Sequence, residues 1–299
     1  MPDGYFSATA YVGHPDIRSQ LTFQALPWME VTFRYTVDNA IKDAGHRSLH
    51  DRSFDIKFRL QEETESWPAI ALGLQDFLGT GVYSGEYLVA SKHFGDFDFS
   101  AGLGWGRLAS RKTFTNPLTY IYSGFGNRPG AFQGQGGSVL FTSFFRGPNM
   151  GIFGGIEYRT PIPDLTFIVE YTSDAYVEES RDSGIDYSFP VNAGFNYRPW
   201  PGFDVGLSYM HGNTVSLHLD AFFDPGEDHS RDRIDPKPPV VARDPDAVEA
   251  IRRKSMMEQP ARKHVPKTGG SIRNSSPWRL PAGPTASWCS AAISAIATT

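Results

Sequence analysis

The chain holds one cysteine, Cys289, close to its C-terminal end. No internal disulfide can form, which excludes a disulfide-stapled secreted module. It has no window near the roughly 20 consecutive apolar residues that a membrane-spanning helix needs. If this chain enters a membrane, it does so through strands. There is no excess of positive charge, since 28 Lys and Arg stand against 33 Asp and Glu for a formal net charge of −5. A nucleic-acid partner therefore has no electrostatic support from the whole chain. The start, Met1-Pro2-Asp3-Gly4, has neither the basic region nor the apolar core of a signal peptide. Taken literally such a chain is not exported, and the expectation is that an N-terminal piece is missing.

Local catalytic signatures are lacking as well. Gly102-Leu103-Gly104-Trp105-Gly106 and Gly134-Gln135-Gly136-Gly137 are glycine-rich, but neither joins a strand to a helix as a phosphate loop must. They read as places where strands pack or bend. His218 and Asp220 share one strand face but lack further ligands at metal-binding spacing. Glu62, Glu63 and Glu65 read as a solvated connection before Trp67. Ser, His and Asp occur without a nucleophile elbow. The chain is expected to be non-enzymatic, with no cofactor and no metal.

What the chain does have is aromatics, 14% of residues, and alternation. Met29, Val31, Phe33 and Tyr35 alternate with Glu30, Thr32, Arg34 and Thr36. Phe54, Ile56, Phe58 and Leu60 alternate with Asp55, Lys57 and Arg59. The same period of two recurs at 97–105, 165–171 and 203–209, the mark of strands with one apolar face. A short unit repeats at the junctions: Leu26-Pro27-Trp28-Met29, Phe94-Gly95-Asp96-Phe97, Ile162-Pro163-Asp164-Leu165 and Trp200-Pro201-Gly202-Phe203. Each reads as a tight hairpin turn. The stretches 38–52, 109–137 and 174–186 read as long polar connections. Short turns alternating with long loops, and aromatics closing strands (Tyr35, Trp105, Tyr158, Tyr171, Tyr197, Tyr209), are habits of outer-membrane barrels.

The fold expected is all-β: an antiparallel transmembrane-type β-barrel of about twelve strands over residues 1–223. Strict up-and-down parity fails somewhere in 109–148, where one strand is miscounted. A soluble β-rich carbohydrate-binding or structural module uses the same alternation with its apolar face turned inward. In a membrane barrel the charged face must line the lumen, because charge facing lipid is costly. Arg34, Lys57, Arg59, Glu157, Arg159 and Glu170 are the candidate lumen-facing binding residues. Exposed loop aromatics Tyr120, Tyr122 and Phe125 suit stacking on sugar rings or simple loop packing.

A compositional seam lies near residue 240. Residues 241–299 carry nine Lys and Arg against four acids, or +5, which leaves −10 on residues 1–240. A Pro-rich, acidic linker is read over 224–240, and 241–299 as a low-complexity basic tail expected to be disordered.

The run from Trp67-Pro68-Ala69-Ile70 through Gly79-Thr80-Gly81, continuing by Tyr83-Ser84-Gly85-Glu86-Tyr87 to Ala90-Ser91-Lys92, resembles the YjbH-like family of outer-membrane exopolysaccharide proteins. Gly102–Gly106, Phe144-Phe145-Arg146-Gly147-Pro148, Phe153–Tyr158 and Glu170-Tyr171-Thr172-Ser173-Asp174 extend the resemblance over roughly residues 1–240. It implies a bacterial outer-membrane barrel that assists production or export of a capsule or biofilm polysaccharide. The partners it implies are outer-membrane lipid, an extracellular polysaccharide and periplasmic export proteins. No nucleic acid is among them. Members of that family are longer at both ends, so this chain reads as a fragment or misread gene model, with 241–299 out of frame.

Overall fold

The computed structural model describes residues 1, 3–42, 48–130, 143–183, 187, 189–225, 249, 253 and 254. Residues 1–226 form one compact unit, and all that follows concerns it. Of the second unit, residues 227–281, only Glu249, Arg253 and Lys254 are described, and they are helical. Otherwise the tail expected to be disordered, the linker beyond Pro225 and the glycine run at 134–137 lie outside the described residues.

Alternation along the chain becomes thirteen strands: β1 (Phe6–Val12), β2 (Asp16–Leu26), β3 (Met29–Lys42), β4 (Ser48–Gln61), β5 (Ala69–Gln75), β6 (Gly85–Phe94), β7 (Phe97–Gly106), β8 (Phe114–Thr115), β9 (Asn149–Arg159), β10 (Leu165–Tyr171), β11 (Val191–Trp200), β12 (Phe203–Met210) and β13 (Thr214–Phe223). Twelve of them pair antiparallel with their chain neighbours, and β1 pairs with β13, so the sheet closes on itself. Closure leaves no open edge and satisfies the backbone along every long strand, the condition for strands in hydrocarbon. β8 is the extra strand behind the parity failure. It spans two residues, Phe114 opposite Met150 and Thr115 opposite Asn149, and is not a wall of the barrel.

The two ends differ. At one, β2–β3, β6–β7 and β11–β12 turn in two residues each, with β4–β5 and β9–β10 joined by 62–68 and 160–164. Gly95 and Gly202 take φ of 61° and 81° in these turns, a backbone that side chains other than glycine's resist. At the other end lie the three-residue turns 13–15 and 211–213 and the described parts of the longer connections 76–84, 107–148 and 172–190. The expectation for 38–52 needs correction. β3 and β4 run through most of it, with Asp38 paired to Leu49 and Thr36 to Asp51. Asp38 and Asp51 are inward positions of two 14-residue strands, while Asn39, His50 and Arg52 are exposed on the outward side near the strand ends, so polarity on both faces resembles a loop.

Which face is wet is settled by burial. Arg18, Gln20, Arg34, Thr36, Asp51 and Ser53 are buried, whereas Leu21, Phe54, Ile156, Phe195, Leu207 and Leu217 are exposed. The polar face points inward and the apolar face outward, the reverse of a soluble barrel and the arrangement of one solvated by lipid. Trp28, Trp67, Phe94, Ile162, Trp200 and Phe223 stand exposed around the short-turn rim. They form an interfacial girdle there. Trp105 does not belong to the opposite rim as expected: its indole is buried, donates to Asn116 Oδ1 and packs edge-on against Phe145 under the long β7–β9 connection.

Candidate functional site

The interior of the barrel is a cup. Near the loop end its side chains are dry, with Asp51 and Ser53 at 0% exposure, whereas near the short turns Arg159 and Arg198 keep 37% and 35% of their side-chain surface. The loop end is closed by side chains from four directions. Gly106 ends β7 with φ 64°, and the short 3-10 turn Arg107–Ala109 that follows buries Leu108 and Ala109. Arg107 there donates to Asp174 and Glu179 of the β10–β11 connection. Its guanidinium also lies 4.9 Å from the Tyr83 ring centre and 5.2 Å from that of Tyr176. Tyr83, from 76–84, donates its hydroxyl to Asp38 Oδ2 at 2.9 Å. Tyr176, Tyr187 and His211 form a three-ring cluster with centroids 4.2 to 5.3 Å apart.

Closure has an electrostatic signature. Burial, and then the neighbouring Asp51 carboxylate, push the Asp76 carboxyl up to about 8, while its Oδ2 accepts from the Tyr83 amide at 3.0 Å. Burial, followed by Arg18, Arg107 and Arg111, pushes the His211 imidazole down to about 3. A dry site disfavours the charged form of both groups.

Beneath this closure lies an apolar layer of Ala71, Tyr87, Val89, Leu108 and Phe153. Tyr87 meets Phe153 edge to face at 6.1 Å. The glycine run accommodates them: a Cβ on Gly102 would sit 2.3 Å from the Phe153 ring, and one on Gly104 2.4 Å from Leu108. Close packing, not phosphate binding, is what those glycines serve.

The half nearer the short turns is a less buried vestibule walled by paired charges. Lys57 lies 2.7 Å from Glu30, Arg59 2.9 Å from Glu62, and Arg159 2.9 Å from Asp98, which also faces His93 at 3.2 Å. Arg198 grips Asp204 with two donors. His218 Nε2 is 2.8 Å from Asn196 Oδ1 and 3.9 Å from Asp220, which accepts from Thr9, so that pair is satisfied within the wall. Among the described residues no group of three His, Cys, Asp or Glu is placed to hold a metal ion.

All six sequence candidates sit on the inward face, but they do not form one patch. Arg34 belongs to the dry half, where it donates to Ser53 Oγ at 3.0 Å and lies 3.4 Å from Asp55. Lys57 and Arg59 line one side of the vestibule and Arg159 another. Glu157 and Glu170 are diagonal neighbours on β9 and β10, since Glu170 pairs with Gly155, two residues along. Both are buried, and each keeps one carboxylate oxygen without a hydrogen-bond partner among the described residues. Of the loop aromatics, Tyr120 and Tyr122 are exposed at 82% and 61%, with Tyr122 edge-on to Phe125 at 6.2 Å.

The sequence reading missed the closure residues Arg107, Asp174, Glu179, Tyr83, Tyr176 and His211. They sit in connections, where no period marks which way a side chain points. A signal did exist: several runs that carry the family resemblance converge here. Ser173 donates to the Leu108 carbonyl, and Asn116 donates to the carbonyls of Phe145 and Gly147 at 3.0 Å each.

Comparison with known proteins gives a family and a weak structural likeness. The YjbH family model, described as exopolysaccharide biosynthesis protein YbjH, matches residues 1–274. The lipoprotein YjbH of Escherichia coli is 38% identical over 197 residues, which cover 64% of this chain and 28% of that relative's length. Among solved structures, the KdgM porin in complex with disordered oligogalacturonate aligns at TM-score 0.40 and 9% identity, over 73% of this chain and 98% of that one. The NanC porin aligns at 0.38 and 10%, over 73% and 99%. Likenesses this weak add nothing to a fold that rests on its strand pairing.

Proposed function

The chain belongs to the YjbH family of exopolysaccharide biosynthesis proteins, and from that premise we propose that it is a bacterial outer-membrane β-barrel that assists production or export of an extracellular polysaccharide without catalysing a reaction. The observation that carries the membrane part is the reversed polarity of the barrel, with charge inside and apolar residues outside. Family membership carries the polysaccharide part.

In outer-membrane barrels the short turns face the periplasm and the long loops face outward. The vestibule then opens to the periplasm and is shut toward the exterior by the Arg107 cluster. Lys57, Arg59 and Arg159 are the working surface in this reading, able to meet a hydroxyl-rich polymer or a periplasmic export protein, with the buried Glu157 and Glu170 set into the wall behind them. Arg34 supports the closed end. A shut barrel serves assembly or gated passage, not free diffusion.

Separating inner and outer membranes of the native host and blotting with antibody against residues 1–240 tests the location. Polysaccharide yield in deleted and complemented strains tests the role. Outer-membrane product together with lost and restored yield is expected. A folded product that stays soluble, or a yield that deletion leaves unchanged, overturns the corresponding half of the proposal.

A further inference from the structure

The outer wall is not uniform. Across the hydrogen-bonding direction, Ala90 of β6 pairs with Ala101 of β7, and Ala101 with Gly154 of β9. Three small residues in one row leave a depression in the lipid-facing belt. Gly154 then pairs with Tyr171 of β10, and Phe99, Ile156 and Val169 complete the walls of a groove of about 530 Å³. The row inclines with the strand tilt, so the groove crosses the belt from a rim at Pro68 and Lys92, beside the short turns, toward Tyr171 and Val191 beside the loops. Elsewhere on this belt large side chains such as Leu21, Phe195 and Leu217 stand out from the wall.

Lys92 supplies the polar end. It is the outward residue two positions after Ala90 and lies at the rim near the girdle. Its ammonium donates to the Thr64 carbonyl, lies 3.2 Å from Glu63 Oε1 and stands 5.9 Å from the Phe94 ring centre. An apolar slot within the hydrocarbon belt, ending at a cation in the headgroup layer, has the chemistry of one anionic phospholipid.

We propose that this groove binds a single anionic phospholipid of the leaflet on the short-turn side, with an acyl chain laid over Ala90, Ala101 and Gly154 and its phosphate at Lys92. This rests on the reading of the barrel as membrane-spanning. Glu63 competes with the phosphate for the ammonium, so it tunes the affinity. Gly154 must remain glycine for a separate reason, because a Cβ there would lie 2.7 Å from the Ser100 carbonyl oxygen.

Native mass spectrometry of the detergent-purified chain, after exchange in mixed micelles with phosphatidylglycerol or phosphatidylcholine, tests the proposal. The wild type is expected to retain one phosphatidylglycerol, with about a fivefold preference over phosphatidylcholine, the scale one lysine provides at an anionic surface. Ala101→Trp, which fills the floor, should lose both lipids. Lys92→Gln should lose only the preference, and Glu63→Gln should raise it. Heat-modifiable gel migration shows that each variant still folds as a barrel. Equal lipid retention by wild type and Ala101→Trp overturns the groove, and an undiminished preference in Lys92→Gln overturns the headgroup site. A dimer that Ala101→Trp abolishes would assign the groove to a second copy and also overturn the proposal. A wild-type chain with no heat-modifiable form in vesicles fails earlier, at the membrane reading itself.

Discussion

At the scale of single residues, Arg107 has the largest consequence. It is the shared cation of Asp174 and Glu179, both buried, and two tyrosine rings cover its faces. Removing one partner of a buried ion pair costs about 3–5 kcal/mol because the remaining charge is stranded. Arg107→Ala is therefore expected to loosen the loop end and raise single-channel conductance in planar bilayers well above the wild type. An unchanged conductance would show that the closure does not depend on it. His211 makes the same end sensitive to acid. Its folded pKa is depressed to about 3 from 6.5, so its contribution is intact above pH 6.5 and is lost as pH falls from there toward 3. Asp76 acts in the opposite sense. An acid raised to about 8 from 3.8 contributes fully below pH 3.8, and that contribution erodes as pH climbs toward 8. Between pH 6.5 and 3.8 the two slopes oppose each other, so wild-type conductance scanned against pH should change little there. Asp76→Asn removes the opposing slope and should expose a rise below pH 6.5 that adding His211→Asn flattens. None of these residues was legible beforehand, because a connection has no periodicity to say which side chain turns inward.

At the scale of elements, each strand has two solvents. Leu21 is 58% exposed in the middle of β2, between inward Gln20 and Thr22. Leu21→Arg places a charge toward lipid at a cost of about 2–4 kcal/mol near the midplane. Folding yield into vesicles, followed by heat-modifiable migration, should drop sharply for this variant and little for Thr22→Asn, which changes an inward polar residue. The apolar layer inside is an element of its own. Phe153→Ala removes a fully buried ring from it, and about 3–5 kcal/mol is the usual loss for such a truncation in a packed core. The expected readout is a lower temperature of barrel unfolding on the same gels. Strands were the most legible elements, since alternation is written into adjacent residues. The exception at 38–52 is instructive: polar inward positions near the loop end resemble a loop when the lipid-facing residues among them are short or polar.

At the scale of the whole molecule, closure of β1 on β13 and closure of the loop end are separate facts. The first makes a barrel, and the second makes a cup. A wild-type barrel of this kind should insert into vesicles yet pass little current, in contrast to an open pore. Steady large conductance from the unmodified chain would show that the loop-end cluster does not seal. The vestibule, with its paired charges and the buried neighbours Glu157 and Glu170, also bears on stability. Glu170→Gln removes a like-charge neighbour from a dry wall and is expected to leave barrel stability unchanged or raised.

The amino-acid sequence by itself determined that the chain is built of strands, that each strand has one apolar and one polar face, where the tight turns fall, and that composition changes near residue 240. These are properties of residues adjacent along the chain, which a period of two or a Pro-Gly turn records locally. Only the tertiary structure decided that the apolar face is the outer one and that the sheet closes. It alone chose the partner of each inward charge and left a groove on one side of the wall. Those outcomes depend on the register between strands and on where connections fold. Thr9 meets Asp220, and Arg107 meets Asp174, across separations of 211 and 67 residues that no local pattern encodes.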